Sequence, residues 1–188
     1  MSNEHDHDHH DEHDHEEHDH EGHQHGHELP PLDPNQHREQ GVALFNGVWE
    51  MLDEPNRTPA QDDQMVHAAH ASRWHWSQAG DLGGDQQLAV GEWQCSRVYS
   101  VLGRGEPALH HAQACLTICQ ERSLADWVLA AAYEALARAS VVSGNADEAR
   151  AWLEKARTAT AAIAEAEDRE VIESDLASIA AHPGLAGS

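Results

Sequence analysis

Apolar residues from Gly41 onward recur every three or four positions, and no stretch alternates apolar and polar residues. This spacing predicts amphipathic α-helices and no β-strand. We therefore expect residues 41–182 to form one all-α domain of about seven helices. Residues 183–188 are expected to be a flexible C-terminus.

Capping residues and glycines predict where the helices begin and end. The second helix is the clearest: Thr58 is its N-cap, Pro59 and Gln61 follow at the first and third positions, and Gly80 comes after its end near Ala79. The other predicted helices are Val42–Leu52, Gln86–Leu102, Pro107–Arg122, a fifth capped by Ser123 and Asp126 and ending at Gly144, a sixth capped by Asn145 and Glu148, and a last one holding Val171, Ile172, Leu176 and Ile179.

An internal repeat relates two helical hairpins. Residues 99–116 (YSVLGRGEPALHHAQACL) lie 41 positions before residues 140–157 (SVVSGNADEARAWLEKAR). Three equivalent pairs are Gly103 with Gly144, Ala108 with Ala149, and Cys115 with Ala156. The Y-x-x-x-G ending, followed by a helix with small residues seven apart, resembles the tetratricopeptide repeat family over about residues 85–165.

The resemblance implies a solenoid of stacked antiparallel helical hairpins. Its concave face would bind a peptide or a small ligand, which the resemblance does not identify. The 41-residue spacing is longer than the family's usual repeat of ~34 residues. Longer helices or a longer loop between repeats would account for the difference.

Residues 1–40 have almost no aliphatic side chains and are predicted to be a disordered tail. Residues 1–28 contain eleven His and eleven Asp or Glu, and no Lys or Arg. The histidines are His5, His7, His9, His10, His13, His15, His18, His20, His23, His25 and His27.

Histidines near pH 7 are mostly neutral and bind Zn, Ni and Cu, while carboxylates add oxygen donors and cancel the charge of the ion. The tail is therefore predicted to bind divalent transition metal, with Zn first, then Ni, then Cu. It resembles the His-Asp loops of zinc-uptake proteins and the His-rich tails of nickel chaperones. An affinity tag and a merely solvating acidic tail are the alternatives.

A second, ordered metal site is predicted in the helices. His67 and His70 share a face of the second helix with Trp74, in the segment HAAHASRWHW. Glu92 lies on an apolar stripe of the third helix, where a carboxylate needs a partner. His67, His70 and Glu92 together match a facial triad of two His and one carboxylate. An ion pair between Glu92 and an Arg, and hydrogen-bonded groove histidines, are the alternatives.

The fourth helix adds His111, on its inward face, as a candidate fourth metal ligand, although a hydrogen-bonded core histidine is the more common case. His110 is the weaker candidate. Cys115 and Cys119 are spaced to hold Cu(I) on a helix, but the small-residue packing position of Cys115 favours a core role.

A ligand pocket is predicted on the concave face. Trp93 and Arg97 on the third helix correspond to Glu134 and Arg138 at an offset of 41 residues. A simple ion pair between Glu134 and Arg138 is the alternative. The predicted pocket, for a small anionic or amphoteric molecule, is lined by Trp74, Trp93, Arg97, Tyr99, Tyr133, Glu134 and Arg138.

Charge and composition exclude some functional classes. The formal net charge is −23, and 23 acids face 11 Lys and Arg after residue 28, so binding to nucleic acid or an anionic membrane surface is not expected. Three cysteines predict reduced thiols and a cytoplasmic location. Common catalytic motifs are absent from the sequence.

The sequence therefore predicts a transition-metal-binding protein that buffers, stores or delivers metal. One alternative is a metal-dependent enzyme acting on a small molecule in the helical groove. The other is a tetratricopeptide-type interaction scaffold that holds a protein partner and whose folded part binds no metal.

Overall fold

The structure is a computed structural model that describes residues 31–185. These residues form seven α-helices and two short 3₁₀ turns, with no β-strand in this part of the chain, so the all-α prediction is confirmed. The predicted tail up to residue 30 and the last residues, 186–188, lie outside the described residues. The helices are α1 Pro34–Asp53, α2 Pro59–Gln78, α3 Asp85–Val101, α4 Gly105–Glu121, α5 Trp127–Val142, α6 Ala146–Thr160 and α7 Ala166–Ala180.

The first helix begins earlier than predicted. α1 starts at Pro34 instead of Val42, so residues 34–40 are helical and do not belong to a disordered tail. The Asp33 carboxylate accepts a hydrogen bond from the Gln36 backbone N–H, and the Gln36 side chain accepts one from the Asp33 backbone. This capping box starts the helix before the first apolar repeat in the sequence. The apolar pattern gives no signal there, because the only buried residues of the first two turns are His37 and Gly41.

Most predicted boundaries lie within two residues of the observed ones, but two predicted side-chain caps do not form. Asn145 is the N-cap residue of α6 without a side-chain capping bond. Thr58 and Gln61 form the predicted capping box of α2, and Gly80 has a φ of +55° directly after it. Ser123 does not cap α5: Asp126 occupies the N-cap position, and its carboxylate accepts a hydrogen bond from the Ala164 backbone N–H instead. After residue 182, where a flexible C-terminus is predicted, Pro183–Leu185 form a 3₁₀ turn.

The 41-residue repeat is visible in the backbone. Gly103 after α3 and Gly144 after α5 have φ values of +70° and +78°, which favour glycine. Next to them the Arg104 N–H donates to Tyr99 O, and the Asn145 N–H donates to Ser140 O, each at 2.9 Å. The turn between α3 and α4 and the turn between α5 and α6 therefore have the same backbone geometry.

Consecutive helices pack against each other through the chain, and α7 packs on α5 and α6. The main core runs from α3 to α7 and depends on the alanines of α5, which let neighbouring helices approach closely. A smaller cluster of Val48, Met65, Ala69, Cys95 and Val98 joins α1, α2 and α3. Among residues 31–185, no helix has the length and apolar character needed to cross a bilayer.

Candidate functional site

Helices α2, α3 and α4 bring Arg73, Glu92 and His111 together. Arg73 Nε donates to Glu92 Oε1 at 2.9 Å, and His111 Nδ1 donates to Glu92 Oε2 at 2.7 Å. Both carboxylate oxygens are thus engaged, on side chains that are mostly buried. Because Nδ1 of His111 faces the carboxylate, Nε2 is the ring nitrogen that is not bonded to Glu92.

His70 and Tyr99 extend this group. His70 Nε2 and the Tyr99 hydroxyl are 2.9 Å apart. The Tyr99 ring stacks on His111 with 8° between the planes, and the His70 and His111 ring centroids are 5.0 Å apart. We call Arg73, Glu92, His111, His70 and Tyr99 the α2–α4 network. It joins three helices through hydrogen bonds and ring contacts.

Burial and neighbouring charge keep this network in defined protonation states. Burial lowers the pKa of His70 below its ordinary value of 6.5; the charges of His111 and His67 act in the same direction, and the charge of Glu92 opposes them without reversing the shift. Burial alone would raise the pKa of Glu92, but the His111 hydrogen bond and the Arg73 charge outweigh it and lower that pKa below 4.5. At neutral pH the network therefore holds an ionised Glu92 beside a neutral His70.

The predicted metal ligands are partly brought together. His70, Glu92 and His111 meet in the α2–α4 network, whereas His67 acts on His70 only through charge; both His67 and His70 are exposed. No group of three or more His, Cys, Asp or Glu side chains within the described residues is placed to hold a metal ion. The Arg partner that the sequence offered for Glu92 is present in Arg73. His110 is exposed in an open groove that Arg73 and Glu92 also line.

Four of the predicted pocket residues form a buried ionic cluster between α3 and α5. Glu134 is completely buried. Its Oε2 accepts from Trp93 Nε1 at 2.9 Å, and its Oε1 accepts from Arg138 Nε at 2.7 Å and from the Arg97 guanidinium at 3.2 Å. Burial would raise the pKa of Glu134, but the charges of Arg97 and Arg138 and the Trp93 hydrogen bond lower it below 4.5.

The last helix supplies the anion that the pocket was predicted to bind. Asp175 on α7 accepts from the Arg97 guanidinium at 2.6 Å and from the Arg138 guanidinium at 3.4 Å. Arg138 also donates to the Ser178 hydroxyl at 3.0 Å. The structure brings together Trp93, Arg97, Glu134 and Arg138, as the repeat spacing predicts, and adds Asp175 of α7, which the sequence analysis does not include.

The remaining predicted residues lie elsewhere. Tyr99 belongs to the α2–α4 network, and Tyr133 stacks on Trp152 with ring centroids 5.9 Å apart. Trp74 is 53% exposed and contacts the rings of His37 and His75 instead of walling a His67–His70 site. Cys115 and Cys119 are free and buried in the main core, as the packing interpretation predicted.

A histidine pair that the sequence did not predict joins α1 to α2. Nδ1 of His37 and Nδ1 of His75 are 2.9 Å apart. His37 is 8% exposed and His75 is half-buried. Burial lowers the pKa of His75, and the charge of His37 lowers it further. Two such nitrogens at this distance share one proton in a hydrogen bond, or share a different cation.

Tight packing of α1 on α2 holds this pair. A Cβ on Gly41 would lie 3.1 Å from the Trp76 ring, so the glycine lets the helices approach. The buried Ser72 hydroxyl of α2 donates a hydrogen bond at 2.8 Å to the backbone oxygen of Gly41, which lies one helical turn after His37 in α1. The sequence signal was weak: His37 and Gly41 are one turn apart on one face, but they lie in a segment without aliphatic residues.

Acid should destabilise the fold in two steps. His70 and His75 have folded-state pKa values below 6.5, so their contribution is complete above pH 6.5 and is lost as the pH falls through the lowered values. Glu92 and Glu134 have folded-state pKa values below 4.5, so their contribution is lost only below pH 4.5. Urea unfolding at a series of pH values measures both steps.

A constant free energy of unfolding between pH 7.5 and pH 5 would contradict the first step. The variant His75→Asn removes one of the two histidines from that step and leaves Glu92 and Glu134 in place. It should therefore flatten the upper range of the pH profile and leave the lower range unchanged.

Comparison with known proteins finds no family model, no curated protein and no solved structure that matches this chain.

Proposed function

We propose that this protein binds divalent transition metal and that residues 1–28 are its main metal-binding segment. The observation that carries the proposal is the sequence itself: eleven His alternate with eleven Asp and Glu, without a single Lys or Arg. A cationic side chain would repel the ion, and none occurs in this segment. Zn is the first expectation, followed by Ni and Cu.

The composition favours capacity over affinity. Many overlapping His pairs offer several chemically equivalent sites, which compete with one another for the ion. An ion held by one pair can therefore transfer readily to the next. This behaviour suits buffering, storage or delivery of metal, and the carboxylates lower the positive charge that would otherwise build up as ions are bound.

The folded residues support a more limited role in metal binding. A centre made of His67, His70, Glu92 and His111 remains a prediction, and it requires Glu92 or His70 to leave its present partner. Glu92, held by Arg73, orients His111 through Nδ1, as outer carboxylates do for histidines that ligate a metal through Nε2. The metal-dependent enzyme is the second candidate function, since the same orientation suits a proton-transferring imidazole.

The helical part is also proposed to be a tetratricopeptide-like solenoid. The shared turn geometry of α3–α4 and α5–α6 at an offset of 41 residues supports this proposal. An interaction scaffold is the corresponding third function. A cytoplasmic setting is proposed as well and is supported by the free, buried Cys95, Cys115 and Cys119.

Calorimetric titration of the full-length protein with Zn²⁺ near neutral pH tests the proposal. Wild-type protein, purified without an affinity column, should bind several equivalents. A full-length variant with all eleven tail histidines changed to Asn should lose most of them, and titration of wild-type protein at pH 5 should show the same loss because protonated imidazole cannot bind.

A matched variant separates imidazole from carboxylate binding. Changing the eleven tail acids to Asn or Gln while keeping every His should weaken uptake but preserve the number of sites. Unchanged uptake in the His-to-Asn variant would overturn the proposal. The enzyme alternative expects stoichiometric metal that survives purification with an exchangeable ligand, and the scaffold alternative expects partner capture that is insensitive to chelator.

A further inference from the structure

The geometry points to an ordered transition-metal site in the helical domain at His37 and His75, two residues that belong neither to the tail segment 1–28 nor to the α2–α4 network. The two Nδ1 atoms are 2.9 Å apart and face each other. The site would take Cu²⁺ or Ni²⁺, with water in the remaining positions. It goes beyond the proposed function, because it does not depend on metal binding by the tail.

The separation of the two nitrogens matches a particular coordination geometry. Metal–imidazole bonds of about 2.0–2.1 Å at a right angle place the nitrogens about 2.9 Å apart, whereas tetrahedral bonds place them about 3.3–3.4 Å apart. The observed distance is that of an ordinary hydrogen bond, and it also fits neighbouring ligands in a square or octahedral arrangement better than tetrahedral ones. Tetragonal nitrogen sites of this kind favour Cu²⁺ and Ni²⁺ over Zn²⁺.

Two rigid elements hold the ligands. His37 lies in the first turn of α1, which the Asp33 capping box fixes, and its own N–H donates to Asp33 O at 3.0 Å. His75 lies one turn beyond Ser72, whose hydroxyl bonds to Gly41 O. Preorganisation of this kind reduces the ordering cost of binding.

The protonation state allows a metal ion to enter. In the hydrogen-bonded pair one ring carries its proton on Nδ1 and the other offers a lone pair. When a metal binds, the first ring exchanges its Nδ1 proton for one on Nε2, and the second ring already carries its proton on Nε2. Both Nδ1 lone pairs can then bind the ion, and no net proton is released.

Trp74 provides a local probe. Its ring centroid is 5.3 Å from that of His37 and 4.9 Å from that of His75, and it is the exposed residue beside the pair. Cu²⁺ and Ni²⁺ bound at this distance should quench the Trp74 fluorescence. The variant Trp74→Phe then reports how much of any quenching belongs to this site.

The test uses the full-length chain with the eleven tail histidines changed to Asn, so that the tail has no imidazole to offer. Titration with Cu²⁺ should show one equivalent bound, with Trp74 quenching and an electron paramagnetic resonance spectrum of two nitrogen ligands. Adding His37→Asn and His75→Asn should remove that equivalent. Adding His70→Asn and His111→Asn, the control at the α2–α4 network, should leave it.

The outcomes are distinct. If no copper binds, or if it binds equally without His37 and His75, the pair is only hydrogen-bonded and the inference is wrong. If binding is lost with His70 and His111 instead, the ordered site is the α2–α4 network and the inference is also wrong. The half-buried His75→Asn alone repeats the test with less disturbance of the fold. Failure of this inference is distinguishable from failure of the proposed function. Zn²⁺ uptake by the tail is measured on the wild-type protein, whereas the Cu²⁺ titration uses protein without tail histidines.

Discussion

Replacing Glu134 with alanine should lower the free energy of unfolding by about 3–5 kcal/mol. Glu134 is completely buried and is bonded to Arg97, Arg138 and Trp93. Alanine would leave two guanidinium groups close together with Asp175 as their only carboxylate. An uncompensated buried charge costs more than the original ion pair contributes, so the loss should be large.

The measurement is urea or thermal unfolding of the full-length protein. For a chain of this size the expected loss corresponds to a fall in Tm of roughly 10 °C. Glu154→Ala is the matched control, since Glu154 pairs with Arg157 on the surface, where both side chains are more than half exposed. That control should change stability by less than about 0.5 kcal/mol.

Two further variants test the mechanism of this loss. Glu134→Gln keeps an acceptor for Trp93 and removes only the charge, so its effect should lie between those of wild type and Glu134→Ala. Asp175→Asn should weaken the same cluster, and its combination with Glu134→Ala should be non-additive because both carboxylates face Arg97 and Arg138. A change below 1 kcal/mol in Glu134→Ala would contradict the proposed role of the cluster.

Replacing Gly91 with leucine should destabilise the protein by about 2 kcal/mol, whereas the same change at Gly47 should stabilise it slightly. Both glycines lie inside helices. A Cβ at Gly91 would be 2.7 Å from Arg73 Cδ and 3.3 Å from Arg73 Cα, while a Cβ at Gly47 would have no atom within 4 Å. Leucine is the better helix former at both positions, so the difference isolates the crowding between α2 and α3.

A larger side chain at Gly91 should also disrupt the α2–α4 network, because the side chain that it displaces is that of Arg73. Arg73 has to move away, and its bond to Glu92 Oε1 is then lost. Without that charge the pKa of Glu92 should rise, which shifts the acid limb of the stability profile to higher pH. Urea unfolding of the two variants at neutral and acid pH measures both effects, and equal stabilities would rule out close packing of α2 on α3.

Local sequence patterns determined much of the fold. The Thr58–Pro59–Gln61 signal placed the start of α2 correctly, because a capping box uses neighbouring residues only. Gly103 and Gly144 marked the same turn twice, because positive φ angles favour glycine. The repeat offset also brought Glu134 and Trp93 to equivalent positions of adjacent helices, where they meet. The start of α1 was missed because its signal lies in polar residues.

The meeting of distant side chains was decided by the tertiary structure alone. His37 and His75 are 38 positions apart, and Arg97 and Asp175 are 78 apart. Periodicity gives the face of a helix on which a residue lies, but not the angle at which that helix crosses its neighbour or which neighbour covers it. The sequence by itself thus determined a leading segment rich in His, Asp and Glu and a set of helices. Packing decided that Glu92 bonds Arg73 and His111, that Asp175 joins the buried cluster, and that His37 faces His75.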